Sequence, residues 1–379
     1  MMIRQLALSA LIALIPALSA AQKFRFAYPA PPPSAYVESR NVTVDESAER
    51  PLRMDVYRPA GGGQHPTLIF FNIATGEQRA HPFYVAWARL AASKGITAIL
   101  PDLGMETFVQ DFVTLHEFIA KGRAEAQGVD RNAVALYAGS GNVFRALPIV
   151  QDRRPTIIKS AVLYYGAAEV STFRPDLPLL FVRAGLDRPA LNTSIDGLVA
   201  RALAQNTPVS VINHAGGRHA FEMVNDDDAT REVMDRTIAF VKETTSAGYQ
   251  AAFKASIAEA SAAGHVSAGR TREAAEAYAA LVAARPGDNG LRLAYGEALL
   301  ANRQFAEACS ELNGLKGKGL GYRDLGIPAA KACLQKGDAE AAIAWLESIP
   351  ARFRPASLAD DPVFAPLRER ADFKALFGR

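Results

Sequence analysis

Read by polarity alone, the first two-thirds of the chain alternates between short apolar runs and longer stretches of helical periodicity. Apolar, β-rich runs fall near 67–72, 96–100, 133–138, 161–165, 179–183 and 209–213, and helical stretches near 82–93, 107–126, 142–152, 191–205 and 229–245. A run that is apolar on consecutive positions has both faces of its strand buried, and helices in strict alternation with such strands cover both faces of a sheet. The predicted fold class is α/β, a doubly wound and mostly parallel sheet.

Beyond about residue 250 the pattern changes. Alanine rises, β-branched residues thin out, and a 34-residue period emerges: Ala274, Ala308 and Ala342, then Tyr278, Leu312 and Leu346, then Leu281, Leu315 and Ile349. Ala262, Gly296 and Ala330 mark the small position of the partner helix, where two helices approach closely. With Pro286 after its first unit, this stretch resembles the tetratricopeptide repeat, which implies an all-α helical-repeat domain over 250–379. The segment from Asp361 to Leu376 reads as its capping end, as terminal repeat units are atypical.

At the other end, residues 1–21 have the features of a signal peptide: Arg4, an apolar stretch from Leu6 to Leu18 too short to span a bilayer, and the small residues Ser19-Ala-Ala21 before a cleavage point. Export to the periplasm or the outside follows, with no membrane span left after cleavage. Residues 22–34, rich in proline, read as an extended linker, and 35–247 as the α/β domain.

Three strand ends carry candidate chemistry. Val134-Ala-Leu-Tyr-Ala-Gly-Ser-Gly-Asn142 ends in a small-residue corner with Ser140 at its apex. Leu179-Leu-Phe-Val-Arg-Ala-Gly-Leu-Asp187 ends in a carboxylate, and Asn213-His-Ala-Gly-Gly-Arg-His-Ala-Phe221 puts His219 in a loop after a strand. A serine hydroxyl becomes a nucleophile when a histidine takes its proton, and the histidine needs an acid to fix its tautomer. Serine, acid and histidine occur here in the chain order of α/β-hydrolase triads. The corner lacks both outer glycines of the Gly-x-Ser-x-Gly pattern, with Ala138 and Asn142 in their places.

From about residue 35 to 245 the chain resembles an α/β-hydrolase of the dienelactone hydrolase-like kind. Leu52-Arg-Met-Asp-Val-Tyr-Arg-Pro59, Pro66-Thr-Leu-Ile-Phe-Phe-Asn72 and Gly95-Ile-Thr-Ala-Ile-Leu-Pro-Asp102 resemble its second, third and fourth strands. The resemblance implies metal-free hydrolysis of an ester, lactone, thioester or similar acyl bond. Asn72-Ile-Ala-Thr-Gly76 stands where esterases of this fold have a His-Gly-Gly-like turn. Backbone donors need no particular side chain, so the oxyanion hole is expected from the N–H groups of Gly141 and of Ile73 or Ala74. The short connection over 166–178 leaves no room for a helical lid.

Competing residues have simpler roles. His214 ends its strand and is expected to make a structural hydrogen bond. Asp196 lies within a helix, Asp102 organises a loop, Asp226-Asp-Asp228 begins a helix, and Phe83 and Trp87 belong to the core. The net charge of +3 is dispersed, with no basic stripe for nucleic acid, no phosphate loop and no zinc-spaced ligand set, so neither cofactor nor metal is expected. The two cysteines, Cys309 and Cys333, fall on helices of adjacent repeats and are either a disulfide or two small buried side chains. The expected function is that of an exported serine hydrolase acting on a small-molecule acyl substrate, esterase and peptidase being indistinguishable by pattern. The alternative is a catalytically decayed hydrolase fold that binds a peptide or protein through its repeats.

Overall fold

The computed structural model describes residues 25–47, 50–73, 78–152 and 156–378. The expected signal segment lies outside them. The chain forms two units, Met1–Ala251 and Ala252–Arg379.

Among the described residues the first unit has eight strands: β1 (Tyr36–Asp45), β2 (Leu52–Pro59), β3 (His65–Phe71), β4 (Thr97–Pro101), β5 (Val129–Gly139), β6 (Ile158–Tyr164), β7 (Leu179–Ala184) and β8 (Val209–His214). Its helices are α1 (Pro82–Ser93), α2 (Phe108–Ala120), α3 (Gly141–Gln151), α4 (Pro189–Ala204), α5 (Phe221–Val224) and α6 (Asp228–Thr245). The strands lie in one sheet in the order β1-β2-β4-β3-β5-β6-β7-β8. The β1–β2 and β2–β4 pairs are antiparallel and all the others parallel. The fold class is the one expected, the α/β-hydrolase fold.

Crossover handedness sorts the helices. The step from β3 to β4 runs one way along the sheet, and the later steps run the other way. Right-handed crossovers therefore put α1 on one face and α2, α3 and α4 on the opposite one. The strands divide accordingly with a period of two. Ile69, Phe71, Leu136 and Ala138 join one core with Phe112, Leu115, Val143 and Leu198. Leu68, Phe70 and Tyr137 join the other with Trp87, Leu90, Met234 and Ile238 of α1 and α6.

Two boundaries differ from the periodicity. The helical stretch expected over 107–126 stops at Ala120, where Gly122 and then Gly128 take positive φ (75° and 81°) and turn the chain. Strand β5 begins at Val129, ahead of its apolar run, because its polar residues Asp130 to Asn132 lie at the open end of the sheet. Of the stretch read as a linker, the part from Arg25 onward packs on α1 and α5. Phe26 stands edge-on to Phe83 and Trp87, and Ala27 N–H donates to the Glu222 carbonyl at 2.7 Å.

The second unit comprises most of α7 (Ala247–Ser267) with α8 (Thr271–Ala284), α9 (Asn289–Ala301), α10 (Phe305–Asn313), α11 (Tyr322–Lys336), α12 (Ala339–Ser348) and α13 (Ala371–Leu376). The positions singled out by the 34-residue period all lie in its interior, including Ala262, the one buried residue of α7. At Gly296 an added Cβ would lie 2.5 Å from Leu312 Cδ2, which is why that helix position is small. Phe364, Leu367 and Phe373 of the closing segment complete this core.

Of the two alternatives for the cysteines, the structure has the disulfide. Cys309 on α10 and Cys333 on α11 are bonded and buried, with Cα atoms 4.8 Å apart. Asn313 sits beside the bond: its amide donates to Cys309 Sγ at 3.5 Å, and its carbonyl accepts from Trp345 Nε1 at 2.6 Å. Thiol labelling of denatured, unreduced protein is expected to find no free cysteine, and two after reduction. Replacing both with serine should lower stability by about 3 kcal/mol from the lost cross-link, measured by denaturant unfolding.

Candidate active site

Strand β5 delivers Ser140 to the carboxyl edge of the sheet, and α3 begins at the next residue. Between them the backbone of Ser140 takes φ 53° and ψ −130°, outside the regions that L-residues prefer. Such a conformation costs of order 1–3 kcal/mol and persists only where its surroundings over-determine it. Here Ser140 N–H donates to the Tyr164 carbonyl at 2.9 Å, and Val143 N–H donates to the Ser140 carbonyl at 3.0 Å. The end of β6 comes so close that a Cβ on Gly166 would lie 2.4 Å from Ser140 O and from Val143 Cγ2. Asn142, in place of the second outer glycine, turns into the interior and donates its amide to the Tyr84 hydroxyl at 2.9 Å.

The acid and histidine loops are tied together. Gly185 N–H donates to the His214 carbonyl and Leu186 N–H to the Gly217 carbonyl, both at 2.8 Å. The approach needs a glycine at 185, where a Cβ would lie 2.3 Å from Ala215 O, and the turn inside the histidine loop needs one at 217, where a Cβ would lie 2.6 Å from His214 Cδ2. Ala220, in a left-handed conformation (φ 56°), turns the chain from His219 into α5. The result is a continuous chain of hydrogen bonds. Ser140 Oγ lies 2.8 Å from His219 Nε2, and His219 Nδ1 lies 2.6 Å from Asp187 Oδ2. The other Asp187 oxygen accepts from Arg188 N–H at 2.7 Å. The Asp187 side chain is 1% exposed and that of His219 28%, so the acid is sealed while the imidazole still faces the solvent side.

The remaining sequence candidates have separate places. Gly141 opens α3, and the Ile73 side chain is buried in the core on the α2–α4 side, leaving its backbone at the end of β3. Ala74 lies outside the described residues. His214 Nε2 meets Thr230 Oγ1 at 2.8 Å, with Phe221 edge-on at 4.8 Å, and burial pushes its pKa down. Asp196 lies on α4 and pairs with Arg183; Asp102 pairs with Arg50. Asp227 caps α6, accepting from Thr230 N–H at 2.7 Å.

One group escaped the sequence reading. Glu222 on α5 is wholly buried within the aromatic side of the sheet. Its Oε1 accepts from Tyr137 OH at 3.1 Å and from Trp87 Nε1 at 3.4 Å, and its Oε2 from Tyr165 OH at 2.9 Å. The Tyr165 ring in turn lies 4.8 Å from that of His219. Burial pushes the Glu222 carboxyl up to about 7, although the hydrogen bonds it accepts oppose the rise. The apolar alternation offered no sign of it, because its partners come from three separate elements.

The strained serine corner after β5, the acid after β7 and the histidine after β8 come together at the carboxyl edge of this sheet. No protein-family model matches the chain, and no curated protein matches it. Solved structures similar to it include an esterase from Pyrobaculum calidifontis, at 16% identity over 55% of this chain and 84% of the other, with a TM-score of 0.43. A structure of fungal esterases from Rhizomucor miehei has 14% identity over 64% and 88%, with a TM-score of 0.47. A brefeldin A esterase, described as a bacterial homologue of human hormone sensitive lipase, has 13% identity over 56% and 78%, also at 0.47.

Two expectations follow. Gly166→Ala should cost about 2 kcal/mol by overpacking against the corner, read by thermal unfolding. For Glu222 the folded-state pKa is raised from 4.5 to about 7, so the native state binds the proton more tightly than the unfolded chain. Its contribution is fully present below about pH 4.5 and is lost as pH rises through 7, leaving a penalty on the order of 3 kcal/mol. Glu222→Gln removes the charge, so its stability relative to wild type should climb between pH 4.5 and 8 in urea titrations. A pH-independent difference would contradict this.

Proposed function

We propose that the protein is an exported serine hydrolase that cleaves an ester or related acyl bond through Ser140, His219 and Asp187. The observation that carries this reading is the unbroken Ser140–His219–Asp187 hydrogen-bond chain, with a sealed acid and an accessible imidazole. In the proposed reaction His219 Nε2 takes the Ser140 proton as Oγ attacks the acyl carbon. The imidazolium then protonates the leaving group, while Asp187 holds Nδ1–H and stabilises the positive ring. The backbone N–H groups of Gly141 and of Ile73 or Ala74 receive the oxyanion. Water activated by His219 releases the acyl group.

The surroundings favour an apolar small-molecule ester. Met105, Val109, Phe144 and Leu186, on the segments that leave β4, β5 and β7 at the carboxyl edge, are exposed. The connection between β6 and β7 holds no helix, which suits an open site without a large lid. The dienelactone hydrolase-like assignment rests on the strand and triad motifs. For the second unit, coincidence of the 34-residue period with successive helix pairs supports a tetratricopeptide-like stack, a form suited to holding a peptide or protein. Export through residues 1–21 agrees with the Cys309–Cys333 disulfide, since such bonds persist in oxidising compartments.

A fluorophosphonate probe is expected to label the purified protein at Ser140, located by mass spectrometry, and Ser140→Ala and His219→Ala should both abolish labelling. On p-nitrophenyl butyrate, Asp187→Asn should lower kcat by about 10³- to 10⁴-fold with little change in KM. Folded protein that takes up no probe, or turnover that survives Ser140→Ala, would overturn the assignment.

A further inference from the structure

Behind the His219 ring lies a carboxyl that the serine chemistry above does not use. Glu222 follows His219 by one turn of chain and sits at 0% exposure, held by one phenol from β5, one from the residue after β6 and one indole from α1. Packing does not require it. A buried charge is costly, and an apolar side chain of similar size would fill the space without that cost. What an apolar side chain would not do is hold Tyr165, whose hydroxyl donates to Oε2 at 2.9 Å while its ring lies against His219. Tyr165 also has a positive φ (32°), uncommon for an aromatic residue, and its N–H donates to the Val182 carbonyl at 2.8 Å. Its ring is therefore placed by a constrained backbone at one end and by Glu222 at the other.

We propose that Glu222, as the carboxylate, is a positioning residue: through the Tyr165 hydroxyl it fixes the aromatic surface on which the His219 ring is aligned toward Ser140. The inference rests on the hydrolase reading of Ser140, His219 and Asp187. Among the described residues, the groups that face Glu222 are Tyr137 from β5, Tyr164 and Tyr165 at the end of β6, and Tyr84 and Trp87 from α1. None is a lysine or an arginine. Burial drives the phenols of Tyr137, Tyr164 and Tyr165 well above their ordinary value, so they stay protonated donors. The Glu222 carboxyl, at about 7, is the member of the cluster that changes state near neutrality. Once protonated it loses its charge, the hydrogen bond to the Tyr165 hydroxyl becomes a neutral one, and the hold on Tyr165 weakens.

The test uses the full chain and p-nitrophenyl butyrate, with wild type, Glu222→Gln, Tyr165→Phe and the double variant compared from pH 5 to 9. Wild-type kcat is expected to show an extra step of about tenfold near pH 7, where Glu222 takes up its proton, on top of the acid limb of slope one that protonation of a general base gives. Glu222→Gln should reduce kcat about tenfold at pH 8 with KM within about twofold, and should remove that extra step. Tyr165→Phe, which removes only a hydroxyl, should give a similar loss, and the double variant no further loss. Losses that multiply, or the extra step kept by Glu222→Gln, would overturn the proposal. The His219 imidazole resonance, followed by NMR in the same proteins, separates the two levels. A wild type inert to the probe, with a His219 titration that still moves on Glu222→Gln, would remove the hydrolase reading and leave the linkage standing. A reactive wild type whose kcat, pH profile and His219 resonance ignore both substitutions would remove the linkage alone.

Discussion

The backbone of Ser140 is the constraint around which the first unit is organised. A residue held at φ 53° and ψ −130° is stable only because β6 lies alongside and accepts its N–H at Tyr164, and because α3 starts at once and anchors its carbonyl. Both supports require close approach, so Gly166 has no room for a side chain and Ala138 is wholly buried beside it. The corner lifts Oγ above the sheet edge, where a histidine from another loop can reach it.

That reach depends on a second constraint, the pairing of the loops after β7 and β8. Two backbone hydrogen bonds and the close approach at Gly185 join them, which sets the segments carrying Asp187 and His219 side by side. Sealing Asp187 strengthens its hold on Nδ1, because a charge-assisted hydrogen bond gains from low local polarity. Beneath this pair the aromatic face of the sheet closes around Glu222. The same strand that carries Ser140 supplies Tyr137 to that cluster, so the two layers share a scaffold.

The second unit is held by simpler means. Small residues at the 34-residue period let helices approach, Leu312, Leu346 and Ile349 fill the seams, and the disulfide joins α10 to α11 beside Asn313 and Trp345. Asp288 and Asp338 cap α9 and α12 by accepting from Leu291 and Ala341 N–H. Each of these is a local or nearest-neighbour interaction, the sort that a repeating sequence encodes one unit at a time.

Local pattern alone determined the alternation of strands and helices, the small-residue corner at Ser140 and the strand-end placement of Asp187 and His219. These depend on periodicity and turn chemistry within short windows, as does the 34-residue helical period. The half-exposed edge strand β1 left no such mark, since an edge paired on one side need not be apolar. Only the tertiary structure decided that Cys309 and Cys333 are joined, that Thr230 is the partner of His214, and that the stretch from Arg25 lies on α1 and α5. It alone brought Glu222 together with Tyr137, Tyr165 and Trp87. A buried polar group is stable by virtue of partners that are remote in sequence, and no local pattern carries information about which remote residues the fold brings together.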